Sequence, residues 1–412
     1  MTRRNLLSGL IKVTLIAIAL VSLVKISGAQ SWVQQNSNTN NLLHSVYFLD
    51  AQKGFAVGDA GTIRYTLNGG QTWLAINGVT AEDLHDVSFL SSSIGIIVGD
   101  NGRIFRTING GINWVQLTSG TSSNLRTVSF GLGEMIYAAG RDGIILRSTN
   151  AGVNWLTVTS GTIRYRGSAA KTATKAWIVG DGGVISVSTN SGVSFTPQNA
   201  NTTSDLHTIF MLNDLTGYIG GQNSTILYTT NGGTLWSSRN SGINQGIDGI
   251  HFSNTNTGWA VGNNGAVFIT NNAGISWTAE NSSTTSELND VFFPDINHGW
   301  AVGANGTIIF RGGTVGIVKI SGTTPDKFSL NQNYPNPFNP STKIEFNIAS
   351  DGFVSLKVYD ITGKEVGNLV NENLQSGTYK VDWTGAGLTS SVYFYTLKAA
   401  QFSETRRMIL TK

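Results

Sequence analysis

The chain contains no cysteine, which removes a disulfide framework, a thiolate metal site and a thiol nucleophile together. Charge is scarce as well, with 12% of the 412 residues being Asp, Glu, Lys or Arg. The formal net charge of +3 owes itself to Arg3, Arg4, Lys12 and Lys25, which have no acid among them. Beyond residue 29 the chain holds 23 basic against 24 acidic side chains. So neutral a chain gives no reason to expect a nucleic-acid partner. Prolines number only 6, and four of them crowd between Pro325 and Pro340. No Gly-x-Ser-x-Gly, His-Glu-x-x-His or phosphate-binding loop occurs, so the common hydrolase, zinc-protease and nucleotide signatures are missing.

Long apolar runs are also missing. The longest, Val13 to Val24, is about a dozen apolar-rich residues bracketed by Lys12 and Lys25, short of the roughly 20 that a spanning helix needs. Residues 1–29 therefore read as a cleaved signal peptide: Arg3 and Arg4 as the positive start, the apolar run, then Ser27-Gly28-Ala29 before the cut.

What is abundant is glycine, 50 residues of it, among short Val, Ile, Thr, Tyr and Trp runs broken by Asn-Gly and Gly-Gly turns. That composition predicts an all-β protein. The runs repeat. Aromatics fall at Trp32, Trp73, Trp114, Trp155, Phe195, Trp236 and Trp277, in steps of 41, 41, 41, 40, 41 and 41 residues. About 40 residues is the size of a four-stranded propeller blade. Each unit turns through an Asn (Asn68, Asn109, Asn150, Asn190, Asn231, Asn272) and a Gly two positions later, before the aromatic. The Asn side chain can hold a tight turn by bonding the following backbone, and the Gly suits a positive φ.

Val-Gly-like turns occur at Gly58, Gly99, Gly140, Gly180, Gly220, Gly262 and Gly303, seven in all. The last unit stops at Arg311-Gly312-Gly313 without an aromatic, whereas Trp32 precedes the first full unit. The expectation is a seven-bladed β-propeller over residues 30–313, its ring closed by the Ser31-Trp32-Val33 strand completing the last blade. Two irregularities stand out. Tyr165-Arg166-Gly167-Ser168-Ala169 replaces the usual apolar first strand of the fourth unit, and Gly220-Gly221-Gln222-Asn223-Ser224 reads as a longer turn in the fifth.

The period exposes equivalent positions. The second residue of each first strand is His44, His85, Arg126, Arg166, His207, Asp248 and Asn289. If that strand is innermost, these form a polar ring at one mouth of the central channel, a candidate ligand site; plain solvation of strand ends accounts for them equally simply. A shared metal is disfavoured, because His207 lies well round the ring from His44 and His85. Arg141, Arg164, Arg166, Lys171 and Lys175 gather in the third and fourth units as a candidate basic patch for an acidic protein or anionic glycan. No catalytic residue, metal or cofactor is assigned. Adjacent carboxylates such as Glu82 and Asp83 point to opposite faces of a strand.

The [Ser/Thr]-x-Asn-x-Gly-x-x-[Trp/Phe] turn is similar to the Asp-box of sialidase-like and BNR-repeat propellers, with Asn where Asp is usual. The full unit, including Gly-Trp-Ala-Val-Gly at 258–262 and 299–303, resembles the photosystem II assembly and stability factor family of seven-bladed propellers. These resemblances imply the fold; the motif residues are turn and packing residues, and propellers host unrelated activities. A sialidase-like glycoside hydrolase is the enzymatic alternative, but the Arg-Ile-Pro motif of that family is missing and no arginine trio recurs on the expected mouth.

After a Gly/Thr-rich linker at 312–324, counted with 314–324 as its body, the composition changes. Alternating runs at 353–359 and 392–397, with turns at Thr362-Gly363-Lys364 and Ser376-Gly377, predict a small Ig-like β-sandwich. Residues 325–412 resemble the type A C-terminal sorting domain of the type IX secretion system. The resemblance rests on Asn333-Tyr334-Pro335-Asn336-Pro337-Phe338-Asn339-Pro340, Val358-Tyr359-Asp360-Ile361-Thr362-Gly363-Lys364-Glu365-Val366, Ser376-Gly377-Thr378-Tyr379, Val392-Tyr393-Phe394-Tyr395 and Arg406-Arg407-Met408. Ser391 stands where that family usually has Gly. The resemblance implies export through the periplasm of a Gram-negative bacterium, contact with the type IX machinery, and release or lipopolysaccharide attachment at the outer-membrane surface. The expected product is a monomeric, secreted or cell-surface, non-enzymatic binding propeller with a protein or glycan ligand.

Overall fold

The computed structural model describes residues 32–239, 242–312, 318–321, 323–385 and 388–411. The proposed signal peptide, residues 1–29, lies outside them, as does Ser31. Among the described residues no helix is long and apolar enough to cross a membrane.

Residues 32–312 build seven four-stranded antiparallel sheets. Blade 1 runs Leu43–Phe48, Gly54–Gly58, Thr62–Thr66 and Leu74–Ala75. The first strands of blades 2 to 7 are Leu84–Phe89, Leu125–Phe130, Tyr165–Ala170, Leu206–Met211, Ile247–Phe252 and Leu288–Asp295. Neighbouring first strands pack on one another, so they are the inner strands that face the axis. Second strands such as Gly95–Gly99 and Gly258–Gly262 are buried at every residue. Covered on both faces by adjacent blades, they read as unbroken apolar runs.

The outer turn explains the repeat. Thr66 donates its hydroxyl to Asn68 Oδ1 at 2.9 Å and accepts the Gly70 N–H at 2.8 Å, while Asn68 Oδ1 also accepts the Thr72 N–H at 3.0 Å. A network of three hydrogen bonds thus satisfies these polar groups of the turn internally. Glycine is required for two reasons at Gly111: φ is 84°, and a Cβ there would lie 2.3 Å from the Phe55 ring of the preceding blade.

The ring closes through the N-terminal strand. Trp32–Gln35 pairs antiparallel with Ile308–Arg311 as the fourth strand of blade 7. Trp32, 1% exposed, packs with Trp259, Val267, Leu288 and Phe293. Its indole N–H donates to Glu280 Oε2 at 2.9 Å, and Arg311 donates to both oxygens of the same carboxylate at 3.0 and 2.8 Å.

Three sequence expectations change in detail. The fifth blade's counterpart of Gly58 is Gly221, not Gly220, because Leu206 pairs with Gly221 as Leu43 pairs with Gly58. The following turn is then no longer than its neighbours. Ser224, at φ 60°, occupies the left-handed position that glycine fills at Gly61 and Gly102. Blade 4, despite its polar sequence, forms a full inner strand. Part of the expected linker is sandwich: Val318–Ser321 pairs with Gly377–Thr384.

The C-terminal module is two four-stranded sheets over one core that includes Phe338, Ile344, Leu356, Val381, Trp383, Tyr395 and Met408. Tyr395 binds the leading segment: its hydroxyl donates to the Asn331 carbonyl at 2.9 Å and accepts the Asn333 N–H at 2.8 Å.

Candidate functional site

Every inner strand carries a bulge at its second residue, since pairing skips from Leu43 to Ser45, Leu84 to Asp86, Leu125 to Thr127, Tyr165 to Gly167, Leu206 to Thr208, Ile247 to Gly249 and Leu288 to Asp290. A bulge frees one residue from the ladder and re-aims its side chain. The freed residues are the seven picked out by the period. His44, His85, Arg126, Arg166, His207, Asp248 and Asn289 all line one cavity of about 290 Å³ at the channel mouth.

Within the cavity the ring is cross-linked. His44 Nε2 meets Asp59 at 2.7 Å and His85 Nε2 meets Asp100 at 2.6 Å, each Asp standing in the loop after its own blade's second strand. The two imidazoles lie edge to face with centroids 4.8 Å apart, each turned to its own aspartate. Burial, helped by Arg126 and His44 and opposed by Asp100, pushes His85 down to about 4, so it is neutral and accepts from Arg126 Nη1 through Nδ1 at 3.2 Å. His207 Nδ1 binds Asp248 across the blade boundary at 2.5 Å. Arg166 pairs with Asp181 and reaches Asp205 at 3.7 Å. Asn289 donates to the Leu43 carbonyl at 2.7 Å, across the seam between blades 7 and 1.

The candidate basic patch divides. Arg164 and Arg166 line the mouth, and the charges of Arg141, Arg164 and Arg166 all act on Arg126, lowering its pKa alongside burial. Lys171 follows the far end of the same inner strand, Tyr165–Ala170, about 17–20 Å away. Lys175 shares that far end, because it precedes Ala176, the partner of Ala170; it lies over Trp177 at 6.0 Å. The strand direction separates residues that are near in sequence. The expectation that no arginine trio meets at the mouth is also overturned, since Arg126, Arg164 and Arg166 line it together. Arg164, expected only in the basic patch, joins the mouth because it belongs to the loop entering the inner strand rather than to the repeated slot. Among the described residues neither Arg141 nor Arg164 has an ion-pair partner within 4.0 Å, and the Nε atoms of Arg126 and Arg164 are buried without an acceptor.

Below the mouth, Asp86 and Asp290 line both the upper and the lower cavity of the channel. Asp86 accepts the Ser45 hydroxyl at 2.8 Å and the Val128 N–H of the next blade at 2.7 Å. Asp290 accepts the Val46 N–H at 2.9 Å, tying blade 7 to blade 1.

Comparison with known proteins agrees with this architecture. Residues 332–411 match the family described as secretion system C-terminal sorting domain. The C-terminal sandwich is a type IX sorting domain. A sorting domain addresses its chain to the secretion machinery, so the protein is secreted or displayed at the cell surface of a Bacteroidetes-type Gram-negative bacterium. Ahead of the sorting domain, residues 74–163 match the family of photosynthesis system II assembly factor YCF48. Among solved structures, YCF48 bound to D1 peptide superposes with a TM-score of 0.60 at 20% identity, covering 69% of this chain and 96% of that one. YCF48 from Cyanidioschyzon merolae gives 0.58 at 17% identity, with 68% and 98% covered. The GH74 enzyme of Niastella koreensis gives 0.53 at 15% identity, with 66% and 43% covered. At these identities the likeness is one of fold. No curated protein matches the chain.

Proposed function

We propose that the propeller is an exported, non-enzymatic binding module whose mouth grips an acidic segment of a protein partner. The observation that carries this reading is that, among the described residues, Arg141 and Arg164 stand near Arg126 with no carboxylate within ion-pair distance, and the buried Nε atoms of Arg126 and Arg164 have no acceptor. A carboxylate offers the paired oxygens that guanidinium groups bind in a fork. A solved YCF48 propeller holding a peptide gives the reading a precedent in fold, and sorting to the cell exterior supplies the setting. The mouth carboxylates speak against glycoside hydrolysis. Asp59, Asp100, Asp181 and Asp248 each have an oxygen committed to His44, His85, Arg166 or His207, and both oxygens of Asp86 and of Asp290 accept hydrogen bonds from Ser45 or backbone N–H groups, whereas hydrolysis needs a carboxyl pair facing the sugar across open space.

The test immobilises the exported protein and probes it with an acidic peptide array, an anionic glycan array and fluorogenic glycosides. Retention of acidic peptides, abolished by Arg141→Glu with Arg164→Glu and weakened by salt, is the expected result. Retention of glycans alone, or turnover of a glycoside, overturns it.

A further inference from the structure

The lower half of the channel is a chamber of about 470 Å³, reached from the face opposite the arginine mouth. Its wall comes from the fifth residue of each inner strand, and the two sides differ. Blades 5, 6, 7 and 1 contribute Phe210, His251, Phe292 and Tyr47, whose rings touch in sequence with centroids 4.8, 4.7 and 4.5 Å apart. Blades 2, 3 and 4 contribute Ser88, Ser129 and Ala169. Seven equivalent positions have thus been divided into a continuous aromatic arc and a facing arc of small side chains, which leaves the rings an open face.

Polar groups in the chamber point to what fills it. The Ser129 hydroxyl and His251 Nδ1 are buried and have no hydrogen-bond partner among the described residues, a state that buried polar atoms rarely keep. Lys171 stands at the open rim with its ammonium 5.2 Å from the Phe210 centroid, and no ion pair of it is found among the described residues. The inner end, which it shares with the mouth cavity, is acidic, formed by Asp86 and Asp290. Rings inside, a cation at the entrance and carboxyls at the bottom fix the orientation of an occupant: apolar and flat inward, anionic outward. The volume falls within the range of small-molecule sites, which are mostly apolar with a few convergent polar groups.

We propose that this lower chamber is a second ligand site, for a small aromatic carboxylate whose ring lies on the Phe210–His251–Phe292–Tyr47 arc and whose carboxylate meets Lys171. It is independent of the reading given to the mouth, since it shares none of the arginines.

The probe is 2-naphthoate, with 2-naphthamide as its neutral counterpart, titrated into the exported protein by calorimetry and followed by saturation-transfer NMR. The native protein binds naphthoate saturably at a single site and prefers it to the amide. Lys171→Met weakens naphthoate by about tenfold, the loss of one charge-assisted contact, and leaves amide binding and the melting temperature as they were. Ser129→Trp fills the space opposite the aromatic arc and abolishes binding of both probes. No saturable binding by the native protein, or binding that neither variant alters, overturns the proposal. The Lys171→Met protein keeps the test valid if the Trp variant fails to fold.

Discussion

Asp86 and Asp290 show how a single side chain can carry both ring closure and a pH response. Desolvation holds Asp86 at about 6 and Asp290 at about 7, against 3.8 for a free carboxyl, even though backbone N–H groups donate to both and the Ser45 hydroxyl donates to Asp86. A carboxyl whose pKa rises on folding binds its proton more tightly in the folded state. Its contribution is therefore complete in acid and is lost as pH climbs through the folded pKa. Asp290→Asn keeps an oxygen for the Val46 N–H and cannot ionise. Its melting temperature should gain on that of the native protein as pH rises from about 5 to about 8, measured by scanning fluorimetry in matched buffers. A difference that stays constant across the range would show that Asp290 ionisation is not coupled to folding. At this scale the sequence was legible wherever a residue repeats. The period found the seven bulge residues, and the same step of 41 from Tyr47 reaches Ser88 and Ser129, so the lower arc was open to the same search. The place of Arg164 at the mouth and the split of the basic patch were not legible, because strand direction and loop reach decide them and no repeat marks either.

At the scale of the element, the closing strand is the most consequential. It is four residues long, Trp32–Gln35, too short to hold by ladder bonds alone. It stays because Trp32 fills the space between blades 6 and 7 and donates to a carboxylate already held by Arg311. Trp32→Ala removes the packing and leaves a cavity, a loss of about 3–5 kcal/mol for a large core aromatic. Chemical denaturation should show that loss, and deleting residues 30–40 should exceed it by exposing the Ile308–Arg311 edge to pairing with other chains. An unchanged unfolding midpoint for either protein would mean that the ring is not held shut here. This closure could be read from the sequence because the aromatic count and the Val-Gly count are offset by one unit. The Gly221 register was harder: two adjacent glycines satisfy the same pattern, and only the pairing of Leu206 chooses between them.

For the whole molecule, the two modules meet at a boundary that strand pairing places earlier than composition does. The proline cluster suggests a start at 325, yet Val318–Ser321 already belongs to a sandwich sheet, pairing with the strand that holds Tyr379 and Val381. Cutting at 325 would strip that sheet of one edge strand, whereas cutting after Gly312, the last residue of blade 7, leaves each sheet whole. The sandwich core is drawn entirely from residues 328–410, and the propeller closes on its own N-terminal strand, so neither module needs the other's side chains to complete its core. A chain ending at residue 312 should therefore keep the native propeller melting transition. It should also accumulate in the periplasm instead of reaching the cell surface or medium, because the address has been removed and the cargo has not. Fractionation of expressing cells, paired with calorimetry of the purified fragment, reads both outcomes. Surface delivery of the truncated chain would refute sorting by the sandwich, and a broadened or lowered transition would refute the independence of the ring.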